Sequence, residues 1–392
     1  MEVTKHRADG AHRACTPEQT LERMRPYFSA AGITRIADIT GLDRIGIAVA
    51  QCIRPDAIVL SVDSGKGATP TAARCSAMME GFERHVAETS PVAISVATAL
   101  QLGDTAEPRF PIFAGSTFSP DYPVEWTTAK GIRSGVEKWV PLDAVRLIPR
   151  LPVGRPLVHS MYSCTSNGLS SGNTYAEAIA GGLYEVVERD QVSIALENPT
   201  PAPRVDLDTI ADPTLSGVVR SIRDANLMPV IFDCTSDIGV PTYIAYIYDL
   251  EERGVGFYRG YAAHLDPAVA QCRALCEAVQ GRLVYIAGSR DDILHERYEA
   301  TKHADNSSSL ARLMAVKDTV SSTAHADRSC DTFEGDIETI LSLLESAGIP
   351  EPLIYEFEHN YPCSVLRVLI PTLEGYHNQH IARGIRSRRN DK

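Results

Sequence analysis

Apolar positions along this chain alternate between two rhythms. Leu21, Met24 and Phe28 recur at helical spacing behind Thr16-Pro17-Glu18-Gln19. Thr there suits an N-cap, Pro the first helical residue and Gln the third, so a helix is predicted to start at that point. Residues 1–16 are polar and irregular and predict a loose arm. The rough alternation over 33–39 and the short apolar runs at 45–50 and 58–62 predict strands. The last of these leads through a Ser64-Gly65-Lys66-Gly67 loop into a helix over about 70–88. The same grammar returns twice: strand-like 159–165, a Gly and Ser loop at 167–173 and a helix over 175–196, then a strand at 255–259, a loop at 260–266 and a helix over 267–286. Between them lie a partly helical excursion at 202–226 and strands at 230–232 and 243–247. A polar loop at 305–309 and an amphipathic helix over 333–347 follow. The pattern predicts an α/β (α+β) chain with mixed sheets and three loop-helix units, although sequence identity between the units is too low for a repeat. The domain expectation is an N-terminal arm and helix at 1–30, one main domain at 31–380 and a basic tail at 381–392.

Composition narrows the function classes. With 392 residues, 44% apolar and 22% charged, the chain is long enough for one large core or two ordinary ones and has ordinary globular composition. A formal charge of −12 supplies no basic field, so nucleic acid is not expected as a partner. The longest apolar runs, such as 92–100, are too short and too interrupted by Ser and Thr to span a bilayer, so no membrane association is expected. The start Met1-Glu2-Val3 lacks the charged-then-apolar layout of a secretory signal, which makes a cytoplasmic location the default expectation. Nine cysteines form no C-x-x-C pair and predict reduced thiols; Cys272 and Cys276, four apart on a helix, read best as small core residues.

The candidate chemistry sits on the three helices. Ser76, Glu80 and Glu83 share one face of the first, with Arg84 following. Glu177, Glu185 and Glu188 share a face of the second, with Arg189 beside them. The third offers Arg273, Glu277, Gln280 and Arg282. Carboxylates stacked at helical spacing repel one another and need cations or water. Here their neighbours are apolar or small: Ala77, Met78 and Phe82 on one helix, Ala178, Leu183, Val186 and Val187 on the other. Clustered hard oxygen donors in a packed setting point to magnesium, which commonly shares its coordination with water and nucleotide phosphates. Each E-x-x-E-R stretch alone reads more simply as a solvated face with local ion pairs. Two in one chain, each behind a Gly and Ser loop, favour function. The Gly65-Lys66-Gly67 stretch lacks the Walker A layout and by itself is a weak phosphate signal.

These blocks resemble the YcaO family: Ser64-Gly65-Lys66-Gly67 with Ser76 to Arg84, then Ser166 to Asp190, then Arg273 to Asp292. Most specific are Ser-Asn-Gly-Leu-Ser-Ser-Gly-Asn-Thr from Ser166 and Glu-Val-Val-Glu-Arg-Asp from Glu185, which resemble that family's central nucleotide block. Gly32 to Arg35 with Thr40 to Ile47 is similar to the branch that travels with TfuA proteins, which includes members tied to trifolitoxin-type peptides and thioamide formation. The azoline-forming branch often carries a Pro-x-Pro-x-Pro tail; this sequence reads Arg388-Arg389-Asn390-Asp391-Lys392 instead, which disfavours that chemistry.

The resemblance implies an ATP-dependent, magnesium-dependent enzyme that activates a peptide backbone amide by O-phosphorylation. It assigns Lys66, Ser76, Ser170, Asn173, Glu177, Arg189, Gln280 and Arg282 to ATP, the carboxylates of Glu80, Glu83, Glu185 and Glu188 to magnesium, and the catalytic roles to Arg189 and Glu188. Implied partners are a precursor peptide or protein, a TfuA-like protein and a sulfur donor; a homodimer is the default assembly. The rival readings are an azoline-forming cyclodehydratase acting on Cys, Ser or Thr and a non-catalytic nucleotide-binding scaffold for a peptide.

Overall fold

The structure is a computed structural model that describes residues 3–8, 10–116, 119–147, 161–198, 200–251, 256–293, 298, 306–375, 384 and 386. The expectations placed on 159–160, 255, 305 and most of the basic tail lie outside these residues. In chain order the elements are β1 (His6–Ala8), β2 (Ala11–Arg13), α1 (Pro17–Met24), β3 (Arg35–Asp38), β4 (Ala48–Ile53), β5 (Val62–Gly67), α2 (Pro70–Thr89), β6 (Ser95–Ala97) and α3 (Ala99–Leu102). There follow β7 (Val124–Gly131), β8 (Glu137–Pro141), α4 (Leu142–Val145), β9 (Leu169–Gly172), α5 (Tyr175–Glu197), β10 (Arg204–Asp206), α6 (Pro213–Asp224), β11 (Leu227–Asp233), β12 (Thr242–Asp249) and β13 (Phe257–Ala263). The last are α7 (Pro267–Ala287), α8 (Asn306–Met314), β14 (Thr319–Ser321), α9 (Phe333–Ser346), β15 (Leu353–Glu356) and β16 (Ser364–Leu369).

The chain divides into two compact units, Met1–Phe82 with Thr200–Thr332 and Glu83–Pro199 with Phe333–Lys392, the division falling within α2. The first unit holds the β1-β2 hairpin, the antiparallel sheet β3-β4-β5 and a five-stranded sheet ordered β13-β12-β11-β10-β14, in which only the β10–β14 pairing is parallel. Its core joins Val218, Val219 and Ile222 of α6 and Leu275, Val279 and Leu283 of α7 to alternate positions Tyr243, Ala245 and Ile247 of β12, the period-two face that a strand presents to a covering helix. The second unit holds an antiparallel sheet ordered β6-β7-β15-β16-β9, with β8 added on β7. A smaller core forms there around Trp126 and Tyr162. Tyr184 of α5 donates its hydroxyl to Asp336 of α9 at 2.9 Å, tying those helices together.

The capping box is present as expected: Thr16 Oγ1 accepts from Gln19 N and Gln19 Oε1 accepts from Thr16 N. The three long helices and the amphipathic helix lie where the periodicity puts them. The expected loops ahead of the long helices are corrected. Residues 64–67, 169–172 and 260–263 are strand, belonging to β5, β9 and β13. Their glycines serve close backbone packing instead of turns. A Cβ on Gly65 would stand 1.9 Å from Ala77 N of α2, on Gly172 2.5 Å from Ala178 N of α5, and on Gly260 2.3 Å from Ala274 O of α7. The three units are therefore strand-then-helix pairs with a glycine at each crossing. The strand expected at 58–62 is also corrected: Arg54 N donates to Ser61 O, the buried Arg54–Asp63 ion pair closes a hairpin bend, and Ile58 is 60% exposed. Likewise 306–309 begins a helix, not a loop.

The expected loose arm is a docked hairpin. Lys5 and His12 are buried, Lys5 N donates to Asp331 O, and the His12 ring meets His264 edge-on at 4.8 Å. His264 Nδ1 accepts from Asp266 N at 2.9 Å, which requires that nitrogen to be unprotonated. Burial holds His264 well below the ordinary imidazole range, and the positive charges of His12, Arg273, Lys5 and Arg13 act the same way. The unfolded chain binds the proton at about pH 6.5 while the folded chain refuses it, so the stability contributed by neutral His264 is present above that pH and lost as pH falls below it. Urea unfolding between pH 7.5 and 5.5 is expected to show stability falling by up to about 1.4 kcal/mol per pH unit below the imidazole range. His264→Gln should flatten part of that slope; an unchanged slope would count against the docked hairpin.

Candidate functional site

In the first unit, β5 and α7 bring together the expected residues of the first and third blocks. Lys66 Nζ pairs with Glu277 Oε2 at 2.7 Å, and Glu277 Oε1 accepts from Tyr261 N at 3.4 Å. Gln280 Nε2 donates to Ser64 O at 2.7 Å, so both side chains stitch α7 to β5. Ser76 and Glu80 lie half-buried on α2, one turn apart. Glu80 is close enough for its charge to act on Cys52, whose thiol burial pushes up to about 12, with Asp63 and then Glu80 adding to the shift.

Arg282 is committed elsewhere. Its Nε donates to Asp43 Oδ2 at 2.8 Å, its Nη2 reaches Asp249 Oδ2 at 3.0 Å, and only 4% of the side chain is exposed. Arg44 closes the network with a 2.7 Å bond to Asp249 Oδ1. Burial pushes the Asp249 carboxyl up, but the bonds from Arg44 and the Glu251 main chain and the Arg282 charge bring it below the usual carboxylate range. Two carboxylates thus hold this guanidinium in place, which makes it a prop of this fold.

In the second unit, β9 delivers the chain into α5. Ser170 is buried on β9, beneath Gly181 of the helix, where a Cβ would come within 2.5 Å of its Oγ. Thr174 caps α5 by accepting from Glu177 N at 3.1 Å. The Glu177 carboxylate reaches back and takes both Asn173 N–H groups, main chain at 2.8 Å and side chain at 3.0 Å. This lock fixes Ser170, Asn173 and Glu177 at the positive end of a 23-residue helix, a place suited to anions. Further along, Arg189 Nη1 stands 3.2 Å from Glu188 Oε1, with Glu188 8% exposed. Asp190 is fully buried and bonded to Arg386; burial pushes its carboxyl up to about 7, opposed by that arginine.

Burial lowers the basicity of Arg367 of β16, and Cys164, Glu185 and Glu83 oppose that shift. Among the described residues no three His, Cys, Asp or Glu side chains converge as a ready metal cage. Magnesium, however, commonly takes one or two carboxylates and completes its shell with water and phosphate, and Glu83, Glu185 and Glu188 are donors of that chemical type. The expected residues Lys66, Gln280, Asn173, Glu177, Glu188 and Arg189 thus each engage a neighbour inside their unit. Sequence reasoning missed Arg367, whose signal was a lone Arg in the apolar strand Ser364-Val365-Leu366-Arg367-Val368-Leu369.

Comparison with known proteins fits this geometry. The family model described as YcaO cyclodehydratase, ATP- and Mg2+-binding, matches residues 64–374. A protein of unassigned function from Methanothermobacter thermautotrophicus is 34% identical over 96% of this chain and 99% of its own length. A Rhizobium leguminosarum bv. trifolii protein, named for its place in the tfuA 3' region, is 32% identical over 97% of this chain and 93% of its own length. Among solved structures, YcaO from Methanopyrus kandleri bound with AMPPCP and Mg2+ superposes with a TM-score of 0.70 at 24% identity, covering 94% of each chain. A heterocyclase in complex with substrate and cofactor gives a TM-score of 0.77 at 21% identity over 96% of this chain, which spans 54% of that longer protein. The chain belongs to the YcaO family, whose members are ATP- and magnesium-dependent peptide-modifying enzymes. The tfuA-region relative is consistent with the TfuA-associated branch. Among the described residues no helix is long and apolar enough to cross a membrane.

The Arg282 network yields a test. Arg282→Met leaves two buried carboxylates short of a cation and is expected to lower unfolding free energy by about 3–5 kcal/mol. A loss below about 1 kcal/mol in urea unfolding would show that the guanidinium is not a structural prop.

Proposed function

We propose that this protein converts a backbone amide of a ribosomally made peptide or protein into a thioamide, using ATP and magnesium, with a TfuA-like partner and an external sulfur donor. The observation that carries the reading is the family match over residues 64–374, supported by the Glu188–Arg189 pair at 3.2 Å and the Asn173–Glu177 lock on α5. The relative in the tfuA 3' region supports the choice of reaction. ATP with magnesium supplies the phosphoryl group that turns the amide oxygen into a leaving group. The residues proposed to hold magnesium are Glu80, Glu83, Glu185 and Glu188; those proposed to hold ATP are Lys66, Ser76, Ser170, Asn173, Glu177, Arg189, Gln280 and Arg282.

Arg189 presents a planar fork of donors to phosphoryl oxygens, and Glu188 at 3.2 Å orients it, so both act by position and charge. The Asn173–Glu177 lock holds the N-terminal turn of α5 rigid, which keeps its main-chain dipoles aimed at an anion without reorganisation. On the substrate, hydrosulfide sulfur bonds to the amide carbon and the former amide oxygen departs with the phosphoryl group as phosphate. The balance is amide plus sulfide plus ATP to thioamide plus ADP plus phosphate.

A second reading, azoline formation by an attacking Cys, Ser or Thr of the substrate, is favoured by the cyclodehydratase description of the family. Intact mass separates the two. Incubation of a candidate precursor peptide with this protein, ATP, magnesium, sulfide and a TfuA-like protein is expected to add about 16 daltons with ADP release. A loss of about 18 daltons would move the assignment to azoline formation on the same phosphorylation logic. Peptide-bound protein that releases no ADP and changes no mass would support a scaffold and contradict both.

A further inference from the structure

A cluster of buried charges lies behind α5 in the second unit. Asp190 is fully buried, and Glu374 and Arg386 are 6% and 7% exposed. Arg386 Nε donates to both oxygens of Asp190, at 3.1 Å to Oδ1 and 2.9 Å to Oδ2. Asp190 Oδ1 also accepts from Glu374 N at 2.9 Å. The Glu374 carboxylate takes the main chain that bears the arginine: Oε2 accepts from Gly384 N at 2.7 Å and Oε1 from Arg386 N at 2.9 Å. About one turn further along the helix, Ser193 Oγ donates to Gly375 O at 2.7 Å. At about 3.6 residues per turn, Asp190 lies about 140° from Glu185 and about 160° from Glu188 around the helix axis, so these bonds grip the rear of the turn that carries both glutamates. Burying two carboxylates and a guanidinium costs desolvation that an apolar set of equal volume avoids, so stability alone is a weak reason for the cluster. What its bonds add is direction, because each fixes a distance and an angle that apolar packing leaves loose.

We propose that Arg386 is a positioning residue: through Asp190 it fixes the rotation and axial setting of the α5 turn that presents Glu185, Glu188 and Arg189. It acts from behind the helix, as the outer partners of metal-binding carboxylates do. The start of α5 is set separately, by the Asn173–Glu177 lock, and Glu177 stands about 20 Å along the axis from Asp190. Loss of Arg386 therefore spares the helix start and disturbs the turn from Glu185 to Arg189. The consequence for ligands is selective. A loosened carboxylate turn holds its metal less tightly, and mass action lets excess metal refill it, whereas a damaged nucleotide site would not recover. This rests on the magnesium reading given above.

Recovery by metal makes the test specific. Calorimetric titration of ATP is carried out with magnesium just above the nucleotide concentration and again in large excess, on the wild type, Arg386→Met and Arg386→Lys, with urea unfolding to establish that each protein is folded. At the lower magnesium concentration Arg386→Met is expected to bind ATP at least about tenfold more weakly than wild type, the scale of a lost outer-shell contact, and in excess magnesium to return to within about threefold. Arg386→Lys keeps the charge without the planar fork and is expected to show a smaller deficit of about threefold that excess magnesium removes. If the Met variant does not fold, the Lys variant decides. Wild-type affinity at the lower magnesium concentration in the deciding variant, or a deficit equally large at both concentrations, would overturn the proposal. If ATP binding to the wild type is the same in EDTA as in magnesium, the magnesium reading itself fails and the Arg386 proposal with it, an outcome distinct from any confined to the variants.

Discussion

The architecture depends on how closely a helix can approach the strand ahead of it. At Gly65, Gly172 and Gly260 the strand backbone lies so near α2, α5 and α7 that a single added carbon would overlap main-chain atoms. This contact fixes each helix against its strand and so fixes which helical positions face the same way as the strand's own polar residues. Lys66 follows Gly65 and meets Glu277; Asn173 follows Gly172 and meets Glu177. The same strand-helix grammar thus recurs with different chemistry at each crossing.

Charge is handled in three ways within this framework. The Asp43, Arg44, Asp249 and Arg282 network neutralises itself and stabilises only as long as every member stays, the usual behaviour of buried ion pairs. The Asn173–Glu177 lock satisfies a carboxylate with amide donors at a helix start, where the peptide dipoles favour it. Glu83 and Glu185 are treated differently. They are half-buried on two different helices, and their charges oppose the burial that lowers the basicity of Arg367.

Periodicity made the long helices legible, because Pro70, Pro267 and Thr174 mark their starts and their lengths exceed any competing strand reading. The Gly and Ser stretches misled, since a glycine needed for close packing and one needed for a turn look alike in sequence; only the tertiary contact separates them. The N-terminal arm was misread because buried Lys5 and His12 are polar residue types that owe their burial to distant partners such as Asp331 and His264. Within the candidate site, glutamate spacing pointed to the carboxylate set, whereas the commitment of Arg282 to Asp43 and Asp249 crosses more than thirty residues in one direction and two hundred in the other and leaves no local pattern. Arg367 was visible as one charge in an apolar strand, but the carbonyls of Val145, Thr165 and Asn167 that hold it lie about two hundred residues away in sequence.

The central claim is that these carboxylates hold ATP through magnesium. Calorimetric titration of ATP into the protein, with magnesium and with EDTA, tests it most directly, on the wild type beside Glu83→Gln and Glu185→Gln. The account predicts binding that requires magnesium in the wild type and weakens at least about tenfold in each variant, the scale of one lost charged ligand contact, with thermal unfolding little changed. Magnesium-supported ATP binding of equal strength in all three proteins would contradict it.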